Sequence, residues 1–187
     1  MKRAWARSVL AVLAAGAALH AGHALAQAAK PATYGEEDRD WGVPPTAQFR
    51  TARYHSPTPL GIPGGKVVTT LELKALLERD PRPFVIDVLG GRAHLTVAGA
   101  FWMTGAGAGD MSRDEAKRFA EAMAKFAGGD KARPLVFLCV DAECWLSYNA
   151  ALRAIGLGYT GVMWYRGGIA AWRHAELPTA QSDPFAW

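Results

Sequence analysis

The sequence predicts an α/β domain with a central, mainly parallel sheet, helices on both faces, and an irregular proline-rich arm in front. Three observations carry this. From Gly65 onward, short apolar runs alternate with helical patterns, as in consecutive β-α-β units. The runs Phe84–Val88 and Pro134–Leu138 are continuous rather than alternating, as in strands covered on both faces. Residues 27–66 hold six of the eleven prolines, and proline fixes φ and removes an N–H, which rules out a regular helix there.

Length and composition bound the rest. The chain has 187 residues, 50% hydrophobic and 20% charged, with two cysteines. That is too apolar for a disordered chain and too poor in cysteine for a disulfide scaffold. The N-terminus reads as a basic segment (Lys2, Arg3, Arg7), an apolar run from Val9 to Leu19, and Ala24-Leu25-Ala26. These are the three regions of a secretory signal peptide over residues 1–26, cut after Ala26. The alternative, an uncleaved anchor, is disfavoured because His20 and His23 interrupt a run shorter than the roughly 20 residues needed to span a bilayer. Cleavage predicts a periplasmic protein with no membrane span. It also removes three basic residues and no acid, so the formal charge of +4 falls to +1. The remaining cations alternate with acids, and no nucleic-acid partner is expected.

The elements follow in order. Residues 27–64 form the arm, and its Trp41, Phe49 and Tyr54 predict packing on the domain rather than a free linker. The domain spans 65–178, and 179–187 is a C-terminal tail. Lys66-Val67-Val68 is a short strand. Thr69 and Glu72 make a capping box for a helix over 71–77. Phe84–Val88 is a buried strand ending near Asp87, and Gly99–Met103 a weaker one. Ser112 and Glu115 cap a helix with Ala116, Phe119, Ala120, Met123 and Phe126 on one face, stopped by Gly128-Gly129. Pro134–Leu138 is the clearest strand, 145–155 a helix, Val162–Tyr165 the last strand, and 169–172 a final helical turn.

In such sheets reactive groups lie beyond the carboxyl ends of strands. That place is taken by Cys139-Val140-Asp141-Ala142-Glu143-Cys144-Trp145, which contains both cysteines. A thiol facing loop amides and a helix N-terminus has its thiolate stabilised, so a reactive thiol or a redox pair is expected. A buried cysteine with a chance neighbour is the plainer alternative. A carboxylate roughly 7 Å from the thiol opposes an anion by about 2 kcal/mol at an effective dielectric of about 20. Asp141 and Glu143 therefore disfavour a doubly charged anion and raise the thiol pKa. Arg166, after the last strand, is expected at the same mouth, offsetting part of this. If Cys139 is oxidised, Cys144 is placed to resolve it to a disulfide; a purely structural bridge is the alternative.

The remaining signals carry less chemistry. The Gly/Ala run 105–109 lacks a phosphate-loop lysine and reads as a flexible loop. His55, His94 and His174 show no metal-ligand spacing. No Ser-His-Asp arrangement stands out, and neither cofactor nor metal is expected.

The run Pro134–Cys139, the short loop, the Ala-rich helix, Gly158-Tyr159, Val162 and Gly167-Gly168-Ile169-Ala170-Ala171-Trp172 resemble the second half of a rhodanese domain. The resemblance covers about 67–177. It implies a persulfide-carrying Cys139 and a substrate cradle over Val140, Asp141, Ala142, Glu143 and Trp145. Asp87 resembles the acid after the family's second strand, and His94 with Gly99-Ala100 its His…Gly-Ala segment. Two positions depart from it: Leu89 stands where an arginine often follows the acid, and Cys144 where the loop often ends in arginine. Cys144-Trp145, Asn149-Ala150-Ala151, Trp164-Tyr165 and the arm further resemble the PQQ-dependent catabolism-associated CXXCW motif proteins, although four residues rather than two separate the cysteines. This implies a periplasmic redox or accessory role beside a quinoprotein dehydrogenase system. The expected partner is a small sulfur donor or a protein thiol. A catalytically silent rhodanese fold, serving as a binding module for that system, is the alternative function.

Overall fold

The computed structural model describes residues 32–187. The expected leader, 1–26, and its cleavage site lie outside the described residues.

The domain is a five-stranded parallel sheet flanked by four helices. In chain order the elements are β1 (Lys66–Val68), α1 (Thr70–Leu77), β2 (Phe84–Asp87), β3 (Leu95–Val97), β4 (Phe101–Trp102), α2 (Arg113–Ala127), β5 (Leu135–Leu138), α3 (Trp145–Gly156), β6 (Val162–Tyr165), α4 (Gly168–His174) and β7 (Thr179–Gln181). The sheet order is β1-β6-β5-β2-β4, every pair parallel. The α/β architecture expected from the alternating runs is the one observed.

Strand β5 shows how the sheet divides the core. Leu135 and Phe137 join Phe119, Met123 and Leu152 of α2 and α3 on one face. Val136 and Leu138 join Leu73, Ile169 and Trp172 of α1 and α4 on the other. A period of two within a wholly apolar strand thus builds two cores, which is why the run shows no polar alternation.

Both capping boxes form. Thr69 and Glu72 close the start of α1, and Ser112 and Glu115 that of α2, each with reciprocal side-chain to backbone bonds. Helix α2 ends on Gly128 at φ 59°, the left-handed cap glycine favours.

The structure adds a ribbon that the apolar pattern did not predict. β3 pairs antiparallel with β7, which falls within the stretch read as a tail. Neither strand has an apolar repeat. Their pairing is set from outside, by Ser182 N donating to the His94 carbonyl (2.7 Å) and His94 N to Ser182 Oγ (2.8 Å). The Gly/Ala run 105–109 is packed against α3 and the arm rather than standing free: a Cβ at Gly107 would lie 2.5 Å from Leu146 Cβ, and one at Gly109 would strike the Arg50 carbonyl. Among the described residues no helix is long and apolar enough to cross a membrane.

Candidate active site

Three neighbouring strands end at one edge of the sheet. Asp87 closes β2 and Tyr165 closes β6, each in register with Leu138 of β5. Cys139 and Arg166 are the next residues along β5 and β6. The chain therefore delivers Asp87, Cys139 and Arg166 to one end because parallel strands in register must finish together.

The loop after Cys139 is closed covalently. Cys139 and Cys144 form a disulfide with Cα atoms 6.1 Å apart, and the two residues are 0% and 4% exposed. Cys144 is the N-cap of α3 and makes no side-chain capping bond, so on reduction its sulfur stands at a helix N-terminus, where a thiolate is favoured.

Each face of the loop is covered. On one side α4 begins directly against it, with Ile169 N donating to the Cys139 carbonyl (2.9 Å) and Ala170 N to the Val140 carbonyl (2.8 Å). Gly168 permits this approach. It sits at φ 61°, and a Cβ there would lie 2.5 Å from the Cys139 oxygen. On the other side lies the arm. Ser56 N donates to the Glu143 carbonyl (2.8 Å), and Trp145 N to the Tyr54 carbonyl (2.8 Å). Thr58 Oγ1 donates to the Ala142 carbonyl, and His55 bridges Cys144 in antiparallel fashion.

This changes what the expected cradle offers. The amide of Glu143 is taken by Asp141 Oδ1 (2.9 Å), that of Cys144 by the Asp141 carbonyl (3.2 Å), and that of Trp145 by Tyr54. Three loop amides therefore point to partners other than an anion at the sulfur. The Trp145 indole donates to the Pro57 carbonyl (3.1 Å) under the Arg50 guanidinium, and it packs edge-on against Tyr148. A cleft of about 230 Å³ beside the loop is lined by Glu36, Asp141, Ala142, Glu143, Gly167 and His174 among others. Its carboxylates give it an acidic wall. A slightly larger cleft, about 250 Å³, is lined by Lys74, Arg82, Trp172 and Leu177 among others and touches no residue of the cysteine loop.

Arg166 is 1% exposed and holds the arm. Its guanidinium donates to the carbonyls of Glu36 (2.9 Å), Glu37 (2.8 Å), Arg39 (2.9 Å) and Thr58 (3.2 Å), and to Thr58 Oγ1 (3.0 Å), with Trp41 stacked 4.7 Å away. Burial lowers its pKa, while Asp40, Asp38 and Glu36 oppose that shift. A charge so fully bonded reaches the loop only through Thr58, and the cysteine mouth keeps its acidic character.

Asp87, fully buried, accepts from Leu89 N (2.8 Å) and meets His94 Nε2 at 2.7 Å. His94 thus partners the acid where residue 89 brings no arginine. Ser182 Oγ lies 3.4 Å from His94 Nδ1, so Ser, His and Asp do come into line, which their spacing did not foretell. Nδ1 sits 2.9 Å from the Arg92 carbonyl. The Arg92 carbonyl lies nearer to Nδ1 than Ser182 Oγ does, so the ring is held by Asp87 and Arg92 rather than by Ser182. Among the described residues no cluster of three or more His, Cys, Asp or Glu is placed to hold a metal.

Of the residues that cover the loop, Tyr54 was expected only to pack on the domain, and Ser56, Thr58 and His55, whose Nε2 lies 3.1 Å from Asp141 Oδ2, were not anticipated from sequence. That hydrogen bond raises the His55 pKa above its ordinary value against a small opposing effect of burial. The one available signal was Thr58-Pro59, since a residue before proline is biased to extended backbone.

The fold and its cysteine loop define an α/β domain with a disulfide-closed loop at a strand end. The chain belongs to the rhodanese-like domain family, whose model matches residues 69–175. Among solved structures, a thiosulfate sulfurtransferase from Pseudomonas aeruginosa is similar at 17% identity, over 64% of this chain and 21% of that one, with a TM-score of 0.47. A polysulfide-sulfur transferase homodimer from Wolinella succinogenes is similar at 15% identity, over 63% and 79%, with a TM-score of 0.45. The rhodanese-like domain of an Anabaena protein is similar at 19% identity, over 67% and 92%, with a TM-score of 0.42. No curated protein matches the chain in sequence.

Proposed function

We propose that this is an exported rhodanese-like protein that carries out thiol-redox chemistry at Cys139, with Cys144 as resolving partner, accessory to periplasmic PQQ-dependent alcohol oxidation. One observation carries the redox reading: the residue at the family's reactive position is bonded to a second cysteine within its own loop. In the reduced protein the Cys139 thiolate attacks a sulfur of a partner disulfide, forming a mixed disulfide and expelling one partner thiolate. The Cys144 thiolate then attacks Cys139 Sγ, closes the intramolecular disulfide and expels the second partner thiolate. With a sulfane-sulfur donor, the same second step resolves a Cys139 persulfide and expels hydrosulfide. A protein or small-molecule dithiol returns the two electrons.

Thiosulfate is a poor donor for this site. Glu36, Asp141 and Glu143 face the cleft beside the loop, and a doubly charged anion approaching them is repelled. Export rests on the three-part leader, and the quinoprotein association on the resemblance carried by Cys144-Trp145 and Asn149-Ala150-Ala151. The burial of both sulfurs favours a second reading, a catalytically silent module that serves the same system by binding.

Mass spectrometry of the mature protein decides between them. The expected results are a disulfide that opens and closes reversibly in a thiol redox buffer, and a sulfane adduct of about 32 Da on Cys139 in the Cys144→Ser variant. Neither species forming would leave the silent module as the function.

A further inference from the structure

We propose that residues 54–58 form a strap over the Cys139–Cys144 loop, which must lift before an external thiol reaches either sulfur. The strap pairs with the loop as a short antiparallel strand would. It is joined by Ser56 N to the Glu143 carbonyl, Tyr54 O to Trp145 N, Thr58 Oγ1 to the Ala142 carbonyl and Pro57 O to the Trp145 indole. Beneath it Cys139 is wholly buried and Cys144 nearly so. Thiol–disulfide exchange needs the attacking sulfur in contact with one of the two; on the opposite side the start of α4 packs on the backbone of residues 139–141, and the cleft beside the loop is lined by neither cysteine.

The strap is also built to move. It lies outside the matched family segment, 69–175, and belongs to no helix or sheet of the domain. Pro57 and His55 are exposed, and only Thr58 of the five residues is buried. Its two ends differ. At one end the Arg166 guanidinium binds both oxygens of Thr58. At the other, Arg53 is exposed and held at φ 49°, in the left-handed region that a non-glycine residue adopts at a cost. That cost is carried by the closed position and released when the strap lifts, so Arg53 marks the hinge and Thr58 the anchor.

The strap would set how fast the disulfide exchanges, while the loop sets what it exchanges with. It governs access and stands even if the disulfide proves to have no part in turnover. The test uses the oxidised protein and dithiothreitol in excess. One dithiothreitol thiolate breaks the protein disulfide and forms a mixed disulfide, expelling one cysteine thiolate. Its second thiolate then releases the other cysteine, leaving cyclic oxidised dithiothreitol and a protein dithiol. Thiol alkylation reports the rate, and trypsin cleavage after Arg53 reports strap opening.

Thr58→Val removes the anchor's hydroxyl and should speed reduction about tenfold, with tryptic cleavage rising by the same factor. Arg53→Gly relieves the closed backbone and should slow reduction about threefold. Arg53→Gly leaves the buried contacts untouched and decides the matter alone if Thr58→Val fails to fold. A Thr58→Val protein that is cleaved faster yet reduced at the wild-type rate would overturn the proposal. So would an Arg53→Gly protein reduced as fast as wild type or faster.

Discussion

From Lys66 to His174 the backbone is paired largely with itself, in a parallel ladder and four helices. From Glu36 to Thr58 it is held by side chains of the domain. Tyr148 Oη accepts from Thr46 N and donates to the Thr46 carbonyl, Asn149 exchanges two bonds with the Arg50 backbone, and Arg166 gathers four arm carbonyls. One region spreads its stability over ladders and apolar layers, where each residue contributes a little. The other concentrates it in a few buried polar groups, where losing one leaves several partners unsatisfied. The cysteine loop lies where the two regimes meet.

The sharpest way to break this contrast is Arg166→Met. The substitution keeps volume but takes the donor from the carbonyls of Glu37, Arg39 and Thr58, and it should cost about 3–5 kcal/mol. The urea midpoint should fall and tryptic cleavage after Arg39 and Arg50 accelerate. An unchanged midpoint with a protected arm would mean that the arm is held by its apolar contacts instead. On the domain side, Gly168→Ala drives a Cβ into the Cys139 carbonyl at a positive φ, and should destabilise by about 2–4 kcal/mol. Its effect should appear at the loop, as faster reduction of the disulfide, with the arm still protected from trypsin. Next is the disulfide itself. Opening the short loop in Cys144→Ser should cost about 2 kcal/mol, measured by urea unfolding of the oxidised wild type against the variant.

The smallest effect is expected at the His55–Asp141 pair, which is well exposed. Its hydrogen bond raises the folded-state pKa of His55, so its contribution is fully present below the unfolded imidazole value. It is lost as pH rises through the folded one. The melting temperature of His55→Asn should lie about 1–2 °C below wild type near pH 5 and match it above pH 8. A difference that grows with pH would contradict the assigned sign.

What could be read in the chain divides along the same line. The strands β2, β5 and β6 are apolar runs, and α1 and α2 announce their starts with capping boxes, because local chemistry and burial agree there. The strand-end position of Cys139 follows from that alternation alone. The covering of the loop does not, because Tyr54, Ser56 and Pro57 act there through backbone atoms that every residue shares. Arg166 illustrates the limit. Its place after β6 was legible, yet its partners are main-chain oxygens and one hydroxyl more than a hundred residues away, which no periodicity encodes. Trp145 and Asn149, which carry the narrower likeness, prove to be residues that grip the arm.

Arg166 binds the arm by its carbonyls. A grip of that kind is indifferent to what Glu36 and Arg39 carry as side chains, since every amino acid offers the same oxygen. Positions 36 and 39 are thus open to substitution in a way that Glu37 is not, since its carboxylate accepts from Thr70 N and Thr70 Oγ1. The charge that position 36 presents beside the cysteine loop can therefore change without removing a hydrogen bond from Arg166 to the arm.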